Sequence, residues 1–220
     1  MNISILDVLG PVMIGPSSSH TAGAARLARC ARLIAGKPFT HVSFGLCGSF
    51  AKTGLGHGTR QALLAGALGL SEEDDRLRWA EKLAEEAGLG WDFYDSELDG
   101  VHENTAEITF TFPDGKTCHV VGCSVGGGRI LITGVDGMPV ELTGERPALL
   151  VRQYDRPGVV GAVTGLLAKE GINIAVMRVT REAKGETAGC VIETDAAIPE
   201  GLVEHLAGLA NIRSVRAISL

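Results

Sequence analysis

The sequence predicts an α+β protein in two parts: helices packed on a mainly antiparallel sheet over residues 1–145, then a βαββαβ unit over residues 146–220. Three observations carry this. Two apolar, Ala-rich stretches of helical period, 22–35 and 60–68, flank a period-two stretch at 41–47. From residue 105 the period changes from helical to alternating. At Gly144-Glu145-Arg146-Pro147 the composition resets, and strand, helix, strand, strand, helix, strand follow at 148–153, 157–170, 172–180, 187–194, 199–207 and 212–218.

Residues 1–14 alternate loosely and read as a short helix or strand leading into Gly15-Pro16-Ser17-Ser18-Ser19-His20-Thr21. Hydroxyl residues and histidine disfavour a helix interior but suit its first turn, where side-chain oxygens accept from unpaired backbone N–H groups. The first helix therefore begins here. Ala24, Leu27, Ala28, Ala31 and Ile34 form its apolar face, opposite Arg26, Arg29 and Arg32. A cap needs one hydroxyl, and this stretch supplies four with an imidazole. Unpaired N–H groups and a partial positive charge at a helix start make such a loop suited to a carboxylate or phosphate.

Gly36-Lys37-Pro38 stops that helix, and Val42, Phe44 and Leu46 line one face of the strand that follows. Lys52-Thr53-Gly54-Leu55-Gly56-His57-Gly58-Thr59 is a second polar loop feeding a helix start. Ser71-Glu72-Glu73-Asp74 resembles a capping box before a helix running to Gly88. Strands follow at 105–112 and 116–121 across Pro113-Asp114-Gly115, and at 130–133 and 139–142 across Asp136-Gly137. In the tail, Pro157 is expected in the first turn of its helix and Gly171 at its end.

The chain has 220 residues, 45% of them hydrophobic, and a formal net charge of −6, which together allow one or two packed domains. The scattered basic residues argue against a nucleic-acid or anionic-membrane partner. No run approaches the roughly 18 apolar residues of a membrane span, and the N-terminus has no basic stretch before a hydrophobic one, so a cytoplasmic protein is expected. Cys30, Cys47, Cys118, Cys123 and Cys190 are dispersed and read as buried thiols, with no metal site in this chain. Ser19 and His20 are sequence neighbours and no Gly-x-Ser-x-Gly elbow is present, which excludes a serine hydrolase of that kind.

The tail, with Asp155-Arg156-Pro157-Gly158-Val159-Val160-Gly161 and Gly171-Ile172-Asn173-Ile174, resembles the ACT domain, a ferredoxin-like regulatory module that binds amino acids at domain pairs. That resemblance implies an effector site at Asp155, Pro157, Gly158 and Asn173, and a homodimer through this or the N-terminal domain is expected. Ile14 to Thr21, the loop Lys52 to Thr59 and Ser124-Val125-Gly126-Gly127-Gly128, taken in that order, resemble the β subunit of iron–sulfur-dependent L-serine dehydratase (L-serine ammonia-lyase). The resemblance implies deamination of L-serine to pyruvate and ammonia with an α subunit whose [4Fe–4S] cluster acts as Lewis acid. It also implies that Ser17, Ser18, Ser19, His20 and Thr21 hold the substrate carboxylate. His57, whose ordinary pKa lies near neutrality, is the expected base, with Thr59 orienting it or the substrate. The family pattern has Asp where this chain has Arg60, a reversed charge beside the second loop. It continues Thr-Val-Gly-Pro where this chain has Thr21-Ala22-Gly23-Ala24. A related substrate-binding domain stands beside ACT in some 3-phosphoglycerate dehydrogenases, so a non-catalytic serine sensor is the alternative expectation.

Overall fold

A computed structural model describes residues 15–181 and 185–219. The expected element at 1–14 lies outside these residues. The chain divides into two compact units between Gly137 and Met138.

The first unit opens with a π-helical turn, Ser18–Ala22, that runs into α1, Gly23–Ala35. Gly36, left-handed at φ 64°, ends α1 by donating its N–H to the Arg32 carbonyl. Ala24, Leu27, Ala28, Ala31 and Ile34 are all fully buried, as their spacing requires, and Ala25 and Cys30 join them. Strand β1, His41–Leu46, leads through two short helices, α2 (Gly48–Thr53) and α3 (Thr59–Leu68), to a 3₁₀ turn at Asp75–Trp79 and α4, Ala80–Glu86. The cap of that turn is Asp74, whose side chain accepts from the Arg76 N–H, rather than Ser71. Two acceptable cap residues, Ser71 and Asp74, compete here, and the aspartate three residues before the first apolar residue of the turn, Leu77, has the position.

Strands β2 (Gly90–Asp95), β3 (Thr105–Thr111), β4 (Thr117–Gly126) and β5 (Arg129–Val135) follow. Within this unit the sheet has the order β2-β1-β3-β4-β5. Strand β2 was not expected; it runs parallel to β1, whereas the β1–β3, β3–β4 and β4–β5 pairs are antiparallel. Phe44, Ile108, Phe110, Val120 and Ile132 of this sheet are fully buried, and α1 packs on β3, β4 and β5. Helices α1 and α3 meet at Gly66, where a Cβ would stand 2.1 Å from the Ala25 carbonyl oxygen. Only glycine permits that approach.

The second unit holds β6 (Met138–Leu142), β7 (Ala148–Tyr154), α5 (Val159–Lys169), β8 (Ile174–Arg181), β9 (Thr187–Thr194), α6 (Glu200–Ala207) and β10 (Ile212–Ile218). Its four-stranded sheet, ordered β10-β7-β9-β8, is the expected βαββαβ arrangement. Leu149, Val151, Val163, Leu167, Cys190 and Ile192 join the sheet to its two helices. Helix α5 starts two residues later than expected, because Gly158 takes the cap in a left-handed conformation (φ 87°) and leaves Pro157 outside. Gly171 ends that helix at φ 68°, as expected.

Candidate functional site

The two polar loops meet. Helices α1 and α3 pack side by side, and each carries one loop at its N-terminal end, so the loops arrive together. Ser17 caps the π turn by accepting the His20 N–H at 3.1 Å. The Thr21 hydroxyl donates to the His57 carbonyl oxygen at 3.0 Å, and the His20 and His57 rings lie 5.1 Å apart. Gly58, at φ 68°, turns the chain from His57 into α3. The third motif stretch is also here: a Cβ on Gly23 would stand 2.0 Å from Ser124 Oγ, and one on Gly126 would stand 3.9 Å from Ser19 Oγ.

Of the expected residues, His57 is exposed at the loop surface, while Ser17, Ser18, Ser19 and His20 are half-buried. Thr21 is 6% exposed and its hydroxyl hydrogen is committed to the His57 carbonyl. Thr59 is fully buried, with its Oγ1 unpaired, and its N–H bonds the Gly54 carbonyl at 2.9 Å. It therefore holds the loop from beneath and has no exposed surface. Arg60 is drawn aside: its guanidinium stacks over the Phe93 ring at 5.4 Å. A cavity of about 360 Å³ beside the loops is lined by Gly15, Thr21, Leu55, His57, Gly58 and Gln61, among others.

Two residues that sequence reasoning did not single out complete the cluster. Ser49 and Thr53, one turn apart on α2, each place a hydroxyl 3.1 Å from His20 Nε2. Their i, i+4 spacing after Gly48 was the available signal. Gly48 itself sits at φ 53° against the Glu103 backbone, and Ser49 N–H donates to the Glu103 carbonyl at 2.7 Å, which anchors α2. Partial burial, then the nearby His57 ring, lowers the His20 pKa from 6.5, opposed by the Ser49 backbone and by Glu103.

No described group of three or more His, Cys, Asp or Glu side chains could hold a metal ion. Cluster ligation requires several convergent thiolates. The five thiols are buried and none is in a disulfide, and burial pushes Cys30 up to about 12 and Cys190 up to about 11. The cysteines of this chain do not fit as ligands of an iron–sulfur cluster.

In the second unit, Asp155 accepts the Gly185 N–H at 3.1 Å and lies 3.6 Å from Arg181 Nε. Asn173 donates to Asp195 at 2.7 Å, and Asp195 also pairs with Arg146 at 2.9 Å. Pro157 and Gly158 are exposed before α5. The polar groups of the expected effector residues are thus joined to neighbours, and Asn173 keeps its side-chain oxygen.

Residues 4–90 match the family model described as serine dehydratase beta chain, and residues 148–211 match the ACT domain model. The chain is 41% identical over 216 residues to a probable L-serine dehydratase beta chain of Bacillus subtilis, covering 98% of each. It is 35% identical over 218 residues to the L-serine dehydratase beta chain of Peptoniphilus asaccharolyticus, covering 99% of this chain and 98% of that one. D-3-phosphoglycerate dehydrogenase of Methanocaldococcus jannaschii is 32% identical over 107 residues, which is 49% of this chain and 20% of that enzyme.

Proposed function

The chain belongs to the serine dehydratase beta-chain family, and from that premise we propose that it is the β subunit of a cytoplasmic L-serine ammonia-lyase. It acts with an α subunit that holds a [4Fe–4S] cluster, and it is inactive alone. Residues 1–145 are the substrate-binding domain and residues 146–220 the ACT domain, which binds an amino-acid effector through Asp155, Pro157, Gly158 and Asn173, and the chain forms a homodimer through this or the N-terminal domain. The observation that carries the reading is the Thr21–His57 hydrogen bond at 3.0 Å, which joins the two loops into one site.

The reaction removes the α-proton of serine and expels the β-hydroxyl as water, and the enamine that results hydrolyses to pyruvate and ammonia. His57 takes the α-proton: it is exposed, and its loop is tied by Thr21 above and Thr59 below. Ser18 and Ser19, at the open start of the π turn, hold the carboxylate with their hydroxyls and backbone N–H groups, and the Ser17 hydroxyl keeps a hydrogen for the same purpose. Thr21 and Thr59 contribute by positioning, since one has spent its hydrogen and the other is buried.

Anaerobic pyruvate formation from L-serine by the chain mixed with its α partner tests the proposal. His57→Ala abolishes turnover and leaves the thermal melt unchanged; retained turnover removes His57 as base. The similarity to 3-phosphoglycerate dehydrogenase favours one second reading, a serine-sensing subunit without catalysis. Co-purification with an α subunit bearing an iron–sulfur chromophore separates the two.

A further inference from the structure

The hydroxyls around His20 dictate which ring nitrogen carries the hydrogen. Thr53 Oγ1 donates to the Ser49 carbonyl oxygen, one turn back, at 2.9 Å. That is the shortest of its contacts, and a carbonyl can only accept. Its single hydrogen being committed, Thr53 Oγ1 must accept from its other two neighbours, Ser49 Oγ at 3.2 Å and His20 Nε2 at 3.1 Å. Ser49 Oγ is itself 3.1 Å from Nε2.

If Nε2 were bare, Ser49 could donate to it, but Thr53 Oγ1 would then face the lone pairs of both Ser49 and the ring with no hydrogen between them. If Nε2 carries the hydrogen, the two hydroxyl oxygens share it and the Ser49 hydrogen turns to Thr53. Every contact in the triangle is then a hydrogen bond. The second arrangement satisfies all three, the first only one. Neutral His20 is therefore the Nε2–H tautomer, and its Nδ1 bears the lone pair. No described residue hydrogen-bonds Nδ1.

A bare imidazole nitrogen accepts, and so does a carboxylate; the two repel unless the ring gains a proton. Burial and the neighbouring His57 ring oppose that proton. An ammonium group carries only donors. We infer that Ser49 and Thr53 are positioning residues that hold His20 as the Nε2–H tautomer, so that His20 Nδ1 receives the protonated amino group of the amino-acid substrate. His20 thereby leaves the carboxylate to the serines beside it. The inference rests on the serine-binding role proposed above for this site.

Two measurements test it separately. Imidazole nitrogen NMR on the full chain at about pH 8, where histidine is neutral, reads the tautomer without any partner. The wild type shows His20 hydrogen on Nε2, and Ser49→Ala/Thr53→Val shifts it to a mixture of tautomers. Hydrogen on Nδ1 in the wild type, or a population unmoved by the double variant, overturns the inference. In the reconstituted complex the double variant raises KM for L-serine roughly tenfold, while inhibition by 3-hydroxypropionate, which lacks the amino group, is unchanged. Thr53→Ser, which keeps the hydroxyl, restores KM when Ser49 is intact. Equal weakening of both ligands overturns the ammonium assignment. A wild-type complex that makes no pyruvate refutes the serine reading and the substrate assignment with it, and the tautomer still stands or falls by its nitrogen spectrum.

Discussion

Replacing Thr21 with valine removes one atom's chemistry from the junction of the two loops and leaves the shape in place. Thr21 is 6% exposed and its Oγ1 is 3.0 Å from the His57 carbonyl oxygen. A typical internal hydrogen bond contributes about 0.5–1.5 kcal/mol. The abandoned carbonyl belongs to an exposed residue and takes water instead, so the loss stays near ~1 kcal/mol and well below the full desolvation penalty. For a chain of this size that lowers the melting temperature by about 2–4 °C. The same energy held the His57 loop in place, so kcat falls about fivefold in the reconstituted complex. KM stays constant, because the Thr21 hydrogen was never available to substrate. Thr21→Ser keeps the hydroxyl and behaves as wild type. Thermal melts and pyruvate kinetics on the three proteins decide the matter. A valine variant with wild-type melting and kcat refutes the tether, and a raised KM with constant kcat would make Thr21 a substrate ligand after all.

Gly66→Ala forces a methyl to within 2.1 Å of the Ala25 carbonyl oxygen, and overpacking of this kind costs about 1–3 kcal/mol, read as a lower urea midpoint with unchanged slope; an unaltered midpoint shows that α1 and α3 can part freely. Because the folded pKa of His20 lies below its ordinary 6.5, the unfolded chain binds its proton first as pH falls. Stability from this group is full above 6.5 and is lost as the pH drops through the folded value, so melting scans across that window show a smaller acid loss in His20→Gln than in wild type; equal losses contradict the shift. The five cysteines are buried and outside any disulfide, two of them pushed up to about 12 and about 11. A thiol reagent at about pH 8 leaves the native chain unlabelled and modifies all five only in denaturant, and rapid native labelling would place a thiolate at the surface.

The second unit was legible almost to the residue, since each helix is punctuated by glycine and each strand is a run of β-branched or apolar residues such as Val191-Ile192. In the first unit, β2 escaped because Gly90-Trp91-Asp92-Phe93-Tyr94-Asp95 lies at a sheet edge and is half exposed, so burial never imposes a strong apolar pattern. Helix α2 escaped because six residues beginning with glycine give too little period to read. Ser49 and Thr53 were lost with it. The meeting of Thr21 with His57 was readable only as a shared style of loop; the bond itself depends on a helix crossing at Gly66 that no local pattern announces. Thr59 looked like a site residue from its motif, yet a position at the start of a buried helix turned its side chain inward.

The π turn at Ser18–Ala22 has a consequence for how this chain tolerates changes of length. There the Ala22 and Gly23 N–H groups reach back five residues, to the Ser17 and Ser18 carbonyls, so the turn holds one residue more than an α-helix needs. Deleting one residue within it yields an ordinary α-turn and leaves α1 seated as before. The same deletion inside α1 rotates everything beyond it by about 100° and swings arginines toward the core. Insertions and deletions can therefore reshape the mouth of the cleft without unseating the scaffold behind it.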